Sequence, residues 1–346
     1  MMLPTVSVNS IDNSSYKAPK HFPIGPKFTR YEKNPILKPN PKNEWESAYL
    51  YNASAIVVDD RIYLLYRAQN EAKVSSVGLA WSDDGYHFTR YDKSIVSASE
   101  SYELKGGIED PRIVRDPKLK KFILTYTAYD GSTARLCVAT SENLFDWVKQ
   151  PPIIKNDNWY DIAVLSNGEQ IIRHAWLKSG AIFNEVQPNL NKYYMIWGDC
   201  AFHLAELKDL VHWTLPSHDY HSNLFTTGKF NWQDRLIEPG PAPIKLDTGD
   251  PNKNYWVLFY NSSTCGGGDY PKDTYSLSQM LIDYNDLSKG PIARQETPFM
   301  VPDSKNEIEG QVNKVVFTEG LVQFKGKWFL YYGQGDSELG VATADA

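Results

Sequence analysis

An aromatic-rich strand pattern recurs five times along the chain, and this recurrence limits the possible folds more than any other feature. The copies begin at positions 63, 122, 193, 255 and 328, a mean spacing of about 66 residues that covers nearly the whole chain. Each copy mixes aliphatic and aromatic side chains in the manner typical of β-strands. The five copies are Tyr63–Arg67, Phe122–Tyr126, Tyr193–Trp197, Tyr255–Tyr260 and Trp328–Tyr332.

The neighbourhood of each copy is also similar. A short β-type run and a polar turn come before it, as in Ala55–Val58 followed by Asp59 and Asp60. A strand of small residues and an acidic turn come after it, as in Gly78–Asp84. Three or four short strands per copy, with almost no helical periodicity, predict an all-β fold, namely a five-bladed β-propeller. A two-sheet β-sandwich is the alternative, but it does not explain the regular spacing.

The domain organisation follows from the same spacing. Residues 1–30 precede the first copy and are predicted to form an N-terminal arm. Residues 31–346 contain all five copies, and no linker separates them. We therefore expect residues 31–346 to form a single five-bladed β-propeller that carries the catalytic site.

Charge and hydropathy exclude two classes of function. The chain has 36 Lys and Arg against 42 Asp and Glu, a net charge of −6, so no nucleic acid partner is expected. No run of 18 apolar residues occurs, so no membrane helix is expected. The N-terminus lacks the basic and apolar regions of a signal peptide. A cytoplasmic location is therefore predicted, with prior removal of a leader as the alternative.

The chain also lacks the common cofactor signatures. It has no P-loop, no GxGxxG and no HExxH motif, so we expect no cofactor and no metal site. His218 and His221 are three residues apart in a polar loop, which is weak spacing for a metal. Aromatic residues make up 13% of the chain, and their flat rings suit both strands and sugar-binding clefts.

Two carboxylates emerge as candidate catalytic groups. In a propeller, the residues before the innermost strands converge on the mouth of the central channel. Asp110 and Glu238 occupy comparable places in the second and fourth copies. Paired carboxylates can protonate a glycosidic oxygen and activate a water. Alternatively, Asp110 before a proline is a turn residue, and Glu109 and Arg112 simply pair with each other.

Several motifs then resemble one family, glycoside hydrolase family 130, from about residue 30 to the end of the chain. The resemblance implies a five-bladed propeller and inverting cleavage of β-mannosides. Most members of the family are phosphorylases and a minority are β-1,2-mannosidases. The segments that carry the resemblance are Asn34–Leu37, Tyr66–Ala68, Gly107–Ile113, Gly310–Phe317 and Tyr331–Asp336.

The resemblance also implies roles for individual residues. Asp110 carries the family's general acid, whose proton is relayed through a sugar hydroxyl. Mannose-binding roles carry over to Asn52, Arg67 and Asp336. The other predicted substrate-binding residues are Glu109, Arg112, Lys178 and Asn261.

Departures from the family pattern point to a hydrolase. Three phosphate-binding positions read Gly198, Leu236 and Asn261, where phosphorylases have arginine, lysine and histidine. Glu238 replaces a glycine at the same locus. Loss of cations and gain of a carboxylate would repel a phosphate dianion. We therefore predict a phosphate-independent inverting hydrolase that releases mannose from β-1,2-linked manno-oligosaccharides.

In this prediction Asp110 is the acid and Glu238 the base, and Glu309 and Glu307 are the reserve candidates for the base. Two other functions remain open from the sequence. A β-mannoside phosphorylase producing α-mannose 1-phosphate would bind phosphate through Arg235, Lys178 or Lys314. A propeller that binds glycans without catalysis would also be rich in aromatic residues.

Overall fold

Nearly all of the regular structure is β. The computed structural model describes residues 3–25, 27–154 and 158–346. Strands make up 43% of the chain and helices 4%. The helices are single turns, and none in the described ranges has the length and apolarity needed to cross a membrane. They are α1 (Lys305–Ile308) and three 3-10 turns at Glu44–Glu46, Asn231–Gln233 and Leu287–Lys289.

The strands form five antiparallel units that follow one another along the chain. The first unit contains β2 (Tyr49–Val58), β3 (Arg61–Gln69), β4 (Ser75–Ser82) and β5 (Thr89–Arg90). The second contains β6 (Gly107–Arg115), β7 (Phe122–Tyr129), β8 (Ala134–Ser141) and β9 (Val148–Lys149). A separate hairpin follows, made of β10 (Tyr160–Val164) and β11 (Gln170–His174).

The remaining units repeat this arrangement. The third contains β12 (Gly180–Ile182), β13 (Tyr193–Trp197), β14 (Phe202–Leu207) and β15 (Leu224–Thr226). The fourth contains β16 (Leu236–Pro239), β17 (Ile244–Lys245), β18 (Tyr255–Ser263), β19 (Tyr275–Asp283) and β20 (Pro291–Arg294). The fifth contains β21 (Val316–Phe324), β22 (Lys327–Gln334), β23 (Glu338–Asp345) and β1 (Thr29–Arg30).

The units differ in detail. A single parallel bridge between Ser75 and Gly107 joins the first two units into one eight-stranded sheet. In the fourth unit, β16 and β17 both pair with β18, so the inner strand is interrupted. None of the sheets in the described residues closes on itself.

The predicted aromatic copies form the strand that pairs with the first strand of every unit, which confirms the strand assignment. They lie in β3, β7, β13, β18 and β22. Successive side chains of a strand point to opposite faces of the sheet. In β7, Leu124 packs in the core shared with the first unit and Ile123 in the core shared with the third. Both faces of these strands are thus buried, so their sequences read as apolar throughout.

Five hydrophobic cores separate the units, and each lies between two neighbours. The first four are shared by units one and two, two and three, three and four, and four and five. The last is shared by the fifth and the first units, where Tyr331 and Phe329 pack with Leu64 and Tyr66. Each unit therefore contacts two others, and the order of contacts returns to its starting point.

The N-terminal segment is tied to several units. Asp12 forms ion pairs with Arg115 and Lys120 of the second unit at 2.7 and 2.9 Å. Phe28 packs in the core between the fourth and fifth units. Residues 29–30, assigned from sequence to the arm, form strand β1 and pair with β23. The regular structure of the fifth unit therefore begins before residue 31.

Candidate active site

Four polar side chains of the candidate site are carried by left-handed backbone. Asn52, Asp110, Ser179 and Asp336 have φ angles of 44°, 52°, 62° and 51°. Asn52 and Asp110 lie at bulges where β2 and β6 shift register against β3 and β7. Non-glycine residues in this region cost about 1–3 kcal/mol each and cluster at functional sites. The bulges free both side chains from regular pairing, and they meet each other.

Asp110 lies in a network of hydrogen bonds and is 2% exposed. Its Oδ1 accepts hydrogen bonds from Asn52 Nδ2 at 3.0 Å and from Arg67 Nη1 at 2.9 Å. Its Oδ2 lies 3.2 Å from Lys178 Nζ. Arg67 also donates to Glu109 Oε1 at 2.6 Å. The structure thus brings together five residues that the sequence named as candidates.

Glu238, the candidate base, shares the ammonium of Lys178 with Asp110. Its Oε1 lies 3.3 Å from Lys178 Nζ and accepts a hydrogen bond from Ser179 Oγ. Asp110 Oδ2 contacts the same ammonium. The distance between Asp110 Oδ2 and Glu238 Oε1 therefore cannot exceed the sum of the two ion-pair distances. No donor from the described part of the chain reaches Glu238 Oε2. The carboxylate therefore has one fixed oxygen and one available oxygen.

The surroundings shift the pKa values of the two carboxyls in opposite directions. Burial acts to raise the pKa of Asp110, but Lys178, Arg67 and Arg112 bring that pKa well below its usual range. Burial raises the pKa of Glu238, and Lys178 offsets this only in part. Asp110 is therefore the ionised member of the pair, and Glu238 more readily holds a proton. This is the reverse of the proton occupancy that their predicted roles require.

Asp336 lies in the turn between β22 and β23, within electrostatic reach of the same network. Burial raises the pKa of its carboxyl to about 7, against the opposing effect of Arg67, while Asp110 raises it further. Burial likewise raises the pKa of Glu109. The candidate site therefore contains a carboxyl that titrates near neutral pH.

Arg112, predicted to bind substrate, instead binds the backbone beneath the carboxylates. It is 3% exposed. Its guanidinium donates to the carbonyl oxygens of Asp110 at 3.1 Å, Pro239 at 2.6 Å and Gly240 at 2.9 Å. These bonds join the inner strands of the second and fourth units. Nothing in this geometry leaves Arg112 available to a sugar.

Asn261 also has a different position from the one predicted. It is fully buried, and its side chain donates to the carbonyl oxygen of Thr318 at 3.1 Å and accepts from the Thr318 amide at 2.7 Å. The amide therefore joins the fourth unit to the fifth. Both of its polar atoms are used by backbone, which is why it does not face the carboxylate pair.

The two reserve candidates for the base lie outside the cluster. Glu309 is exposed at the end of α1, and no hydrogen bond or ion pair within the described ranges ties its side chain to the other candidates. Glu307 is buried, but its carboxylate pairs with Arg30 at 2.8 Å and accepts a hydrogen bond from Tyr332. Glu307 therefore holds the N-terminal strand rather than a reacting group.

Two of the altered phosphate positions are closed by packing. Gly198 has a φ of 123°, and a Cβ at this position would lie 2.0 Å from the carbonyl oxygen of Ala201. A longer side chain there requires the backbone to move. Leu236 is 9% exposed and pairs with Ser263. Neither position supplies a positive charge.

Two of the cations proposed for a phosphate site have other partners. Arg235 pairs with Asp273 at 3.2 Å. Lys314 Nζ donates to the carbonyl oxygen of Lys272 at 2.6 Å. Of the three cations named from sequence, only Lys178 lies between the carboxylates.

One group of potential metal ligands lies near the hairpin. Asp161, Asp199 and Cys200 bring their ligand atoms within 4.8 Å of one another. Arg173 already donates to both carboxylates and neutralises part of their charge. Because a guanidinium is held where a cation would bind, this geometry is that of an ion-pair network.

Two residues near the pair were not predicted from sequence. Ser179 fixes Glu238, and its only signal was a place beside Lys178 before an inner strand. Glu319 lies 3.3 Å from Arg112 and is 1% exposed. Its signal was a charged residue in the otherwise apolar run of β21, at the position where that strand bulges.

Comparison with known proteins identifies the family of the chain. A family model, Glyco_hydro_130, described as beta-1,4-mannooligosaccharide phosphorylase, matches residues 24–346. A 1,2-beta-oligomannan phosphorylase from Thermoanaerobacter sp. (strain X514) is 30% identical over 332 residues, which cover 92% of this chain and 97% of that protein.

Solved structures are similar over almost the whole chain. A glycosyl hydrolase from Bacteroides ovatus superimposes with a TM-score of 0.79 at 30% identity, covering 95% of this chain and 97% of that chain. Another structure has a TM-score of 0.75 at 30% identity with the same coverage. It comes from work on GH130 glycoside hydrolases that target beta-1,2 mannosidic linkages in Candida mannan. The chain belongs to glycoside hydrolase family 130, a family of enzymes that act on β-mannosides.

Proposed function

We propose that this protein is an inverting glycoside hydrolase that releases mannose from β-1,2-linked manno-oligosaccharides without phosphate. Asp110 is the general acid and Glu238 is the base. The observation that carries the proposal is the buried carboxylate of Glu238, which shares Lys178 with Asp110. Two carboxyls on either side of a glycosidic bond supply the proton and activate the water that inverting hydrolysis needs.

The charge balance around Glu238 favours water over phosphate as the acceptor. Lys178 contacts two carboxylates, and Arg67 contacts Asp110 and Glu109. A phosphate dianion beside Glu238 would meet a like charge in a buried place, where repulsion is weakly screened. A water molecule needs only an acceptor for its proton.

The fixed orientation of Glu238 suits a base. Ser179 and Lys178 hold Oε1, so Oε2 is the oxygen that can accept a proton from water. A base must lie within hydrogen-bond reach of the proton that it removes. Held in this way, the carboxylate does not need to reorient during the reaction.

Asp110 must gain a proton before it can act as an acid. Lys178 and Arg67 keep its pKa low, so the substrate has to weaken at least one of these contacts. A sugar hydroxyl that enters between Asp110 and Lys178 would separate the carboxylate from the ammonium and raise that pKa. The same hydroxyl would relay the proton to the glycosidic oxygen, as the family resemblance implies.

The substrate assignment draws on the relatives and on the residues around Asp110. Asn52, Arg67, Glu109 and Asp336 are the proposed contacts to the mannose that is released. Two relatives are named for β-1,2-linked mannosides, whereas the family description names β-1,4 linkages. We assign the β-1,2 linkage because individual relatives that are 30% identical to this chain are named for it, whereas the β-1,4 linkage comes from the description of the family as a whole.

The proposed architecture is a five-bladed propeller made by residues 31–346, preceded by the arm of residues 1–30. Each of the five units would be one blade. Support comes from the five cores between consecutive units, of which the last joins the fifth unit to the first. Such a ring places the inner strands β2, β6, β12, β16 and β21 around one axis.

A phosphorylase is the second candidate function. The observation in its favour is that a relative 30% identical to this chain is named a phosphorylase. Phosphate would then depend on Lys178, because Arg235 and Lys314 have other partners. That arrangement requires phosphate to displace a carboxylate from the ammonium.

The deciding experiment uses β-1,2-mannobiose in phosphate-free buffer and again with excess phosphate, with β-1,4-mannobiose as a linkage control. Free mannose released at the same rate in both buffers is the expected result. Mannose 1-phosphate formed only with phosphate would overturn the hydrolase in favour of the phosphorylase. Binding of the disaccharide without any turnover would favour a glycan-binding protein. An Asp110→Asn sample controls for contaminating activity.

A further inference from the structure

Glu319 occupies a special position in the fifth unit. β21 shifts register against β22 between Thr318 and Gly320, so Glu319 is the bulged residue. Asn52 and Asp110 are the bulged residues of the inner strands in the first and second units. Three inner strands therefore direct a polar bulge residue toward the same part of the molecule.

The carboxylate of Glu319 is buried and has one cationic neighbour. Its side chain is fully inaccessible, and Oε1 lies 3.3 Å from Arg112 Nη2. Neither of its oxygens has a hydrogen-bond partner in the part of the chain that the structure describes. Burial raises the pKa of this carboxyl well above its ordinary value, and Arg112 offsets that cost only in part. The pair with Arg112 is thus the main favourable interaction of this side chain.

Arg112 in turn holds the backbone on both sides of the candidate site. It donates to the carbonyl oxygen of Asp110 itself and to those of Pro239 and Gly240, which directly follow Glu238. A shift of the guanidinium would move the acid, the base or both. Any group that fixes the guanidinium therefore fixes their separation.

Glu319 also borders a cavity. A cavity of ≈ 310 Å³ is lined by Glu319 together with Ile113, Leu321 and the arm residues Asp12 and Tyr16. If the carboxylate is removed, Arg112 becomes a buried cation without its acidic partner. It can then move toward this cavity, or it can pair with Asp110 or Glu238 directly.

We propose that Glu319 is a positioning residue for the reaction, because it anchors Arg112 and thereby sets the separation of Asp110 and Glu238. This inference rests on the proposed function for the roles of those two carboxyls. Glu319 itself touches no substrate. A misplacement of about 1 Å at reacting groups can lower the rate about 100-fold.

The test compares Glu319→Ala and Glu319→Gln with a matched control, Glu307→Gln. Glu319→Ala is expected to lower kcat about 100-fold with little change in KM, since the mannose contacts remain. Glu319→Gln keeps the volume and an oxygen facing Arg112, so it should recover part of kcat. Glu307 is another buried glutamate paired with an arginine, but Arg30 lies apart from the carboxylate pair. Glu307→Gln should lower stability and leave kcat unchanged.

The outcomes separate this proposal from the proposed function. All assays are run with and without phosphate. Phosphorolysis by the wild type would overturn the proposed hydrolase activity. The positioning role of Glu319 would then be tested by comparing kcat for phosphorolysis between the wild type and the Glu319 variants. A Glu319→Ala enzyme with wild-type kcat would overturn the positioning role. The positioning role would also be overturned if kcat fell in proportion to the fraction of folded protein in every variant, including Glu307→Gln.

Crystal structures of the wild type and of Glu319→Gln supply a readout that does not depend on turnover. Glu319→Gln is chosen because it should fold. We expect the distance from Asp110 Oδ2 to Glu238 Oε1 to change together with the contacts of Arg112. Unchanged positions of these three side chains would overturn the proposal.

Discussion

In the proposed mechanism, Glu238 is the residue on which the choice between water and phosphate depends. Glu238→Gln keeps the shape of the side chain and removes its basicity, so we expect a loss of kcat of about 100-fold or more. The smaller Glu238→Gly variant leaves room for azide, which needs no base. Azide should restore turnover of a β-mannoside and yield an α-mannosyl azide, detected by NMR. A β-azide, or no rescue in a folded variant, would contradict the role of an inverting base.

The role of Asp110 can be separated from that of Glu238 by the leaving group. Asp110→Asn should lose activity on β-1,2-mannobiose, whose leaving alcohol needs a proton. The same variant should keep far more activity on a dinitrophenyl β-mannoside, which departs without one. Glu238→Gln should be inactive on both substrates. The opposite pattern would exchange the two roles, in line with the lowered pKa of Asp110 and the raised pKa of Glu238.

The pKa of Asp336 predicts a pH dependence of stability. Burial raises this pKa to about 7 from an ordinary value of 3.8. Between these values the folded chain binds more protons than the unfolded chain, so stability falls as pH rises from about 4 to about 7. Asp336→Asn should flatten this fall, measured as Tm against pH.

Asp161 provides the internal control for that measurement. Its pKa is also raised to about 7, first by burial and then by Asp199. Each single variant, Asp161→Asn or Asp336→Asn, should therefore remove only part of the decrease in stability between about pH 4 and about pH 7. A wild-type slope in the Asp336→Asn protein would contradict the raised pKa.

The sequence indicated which residues meet, but not how each one is used. Asn52, Asp110, Lys178 and Glu238 lie together because they belong to, or directly precede, the first strands of their units. Arg67 reaches the same place from β3. Arg112 and Asn261 were expected to face the substrate, yet both bind backbone. The direction of a side chain at a bulge or strand end depends on the local strand register, which cannot be inferred from the pattern of residues along the sequence.

At the scale of single elements, the turn at Gly198 has no room for a side chain at a position where the family resemblance implies a phosphate ligand. Gly198→Ala would place a Cβ 2.0 Å from the Ala201 carbonyl oxygen at a φ of 123°, so we expect a loss of stability. Gly198→Arg should be less stable again and should not gain phosphorolysis. Gly249 has a positive φ but open space, so Gly249→Ala is the matched control for backbone strain alone.

The seam between the fourth and fifth units gives a second prediction for elements. Asn261→Ala leaves the buried amide and carbonyl of Thr318 without partners. Each unsatisfied group costs about 1–3 kcal/mol, so urea unfolding should shift to lower concentration. Asn252→Ala in an exposed turn should leave the midpoint unchanged. An equal midpoint for both variants would contradict the seam role.

Strands with a strong aromatic and apolar sequence pattern were predictable, whereas strands with a weak pattern were not. The five aromatic strands are buried on both faces, so their composition marked them clearly. The hairpin β10–β11 carries exposed side chains at Ile171 and Ile172 and lacks the aromatic pattern. Its strands are held by pairing with each other, which leaves little compositional signal.

For the whole molecule, the N-terminal segment should contribute to global stability. Removing residues 1–30 deletes β1 and the core side chains of Ile24 and Phe28. Burial losses of this kind cost more than about 3 kcal/mol, so we expect a large fall in the urea midpoint. Removing residues 1–5 should change it little. Equal midpoints for the two truncations would show that the segment is dispensable.

The pairing of β1 with β23 also sets an order of events during synthesis. Thr29 and Arg30 are made long before their partners Thr343 and Ala342, because 314 residues separate Thr29 from Thr343 along the chain. Earlier units can pack while translation continues, since each contacts its neighbours in chain order. The fifth unit cannot be completed until β23 has been made, and until then its hydrophobic faces are open to chaperones and to other nascent chains.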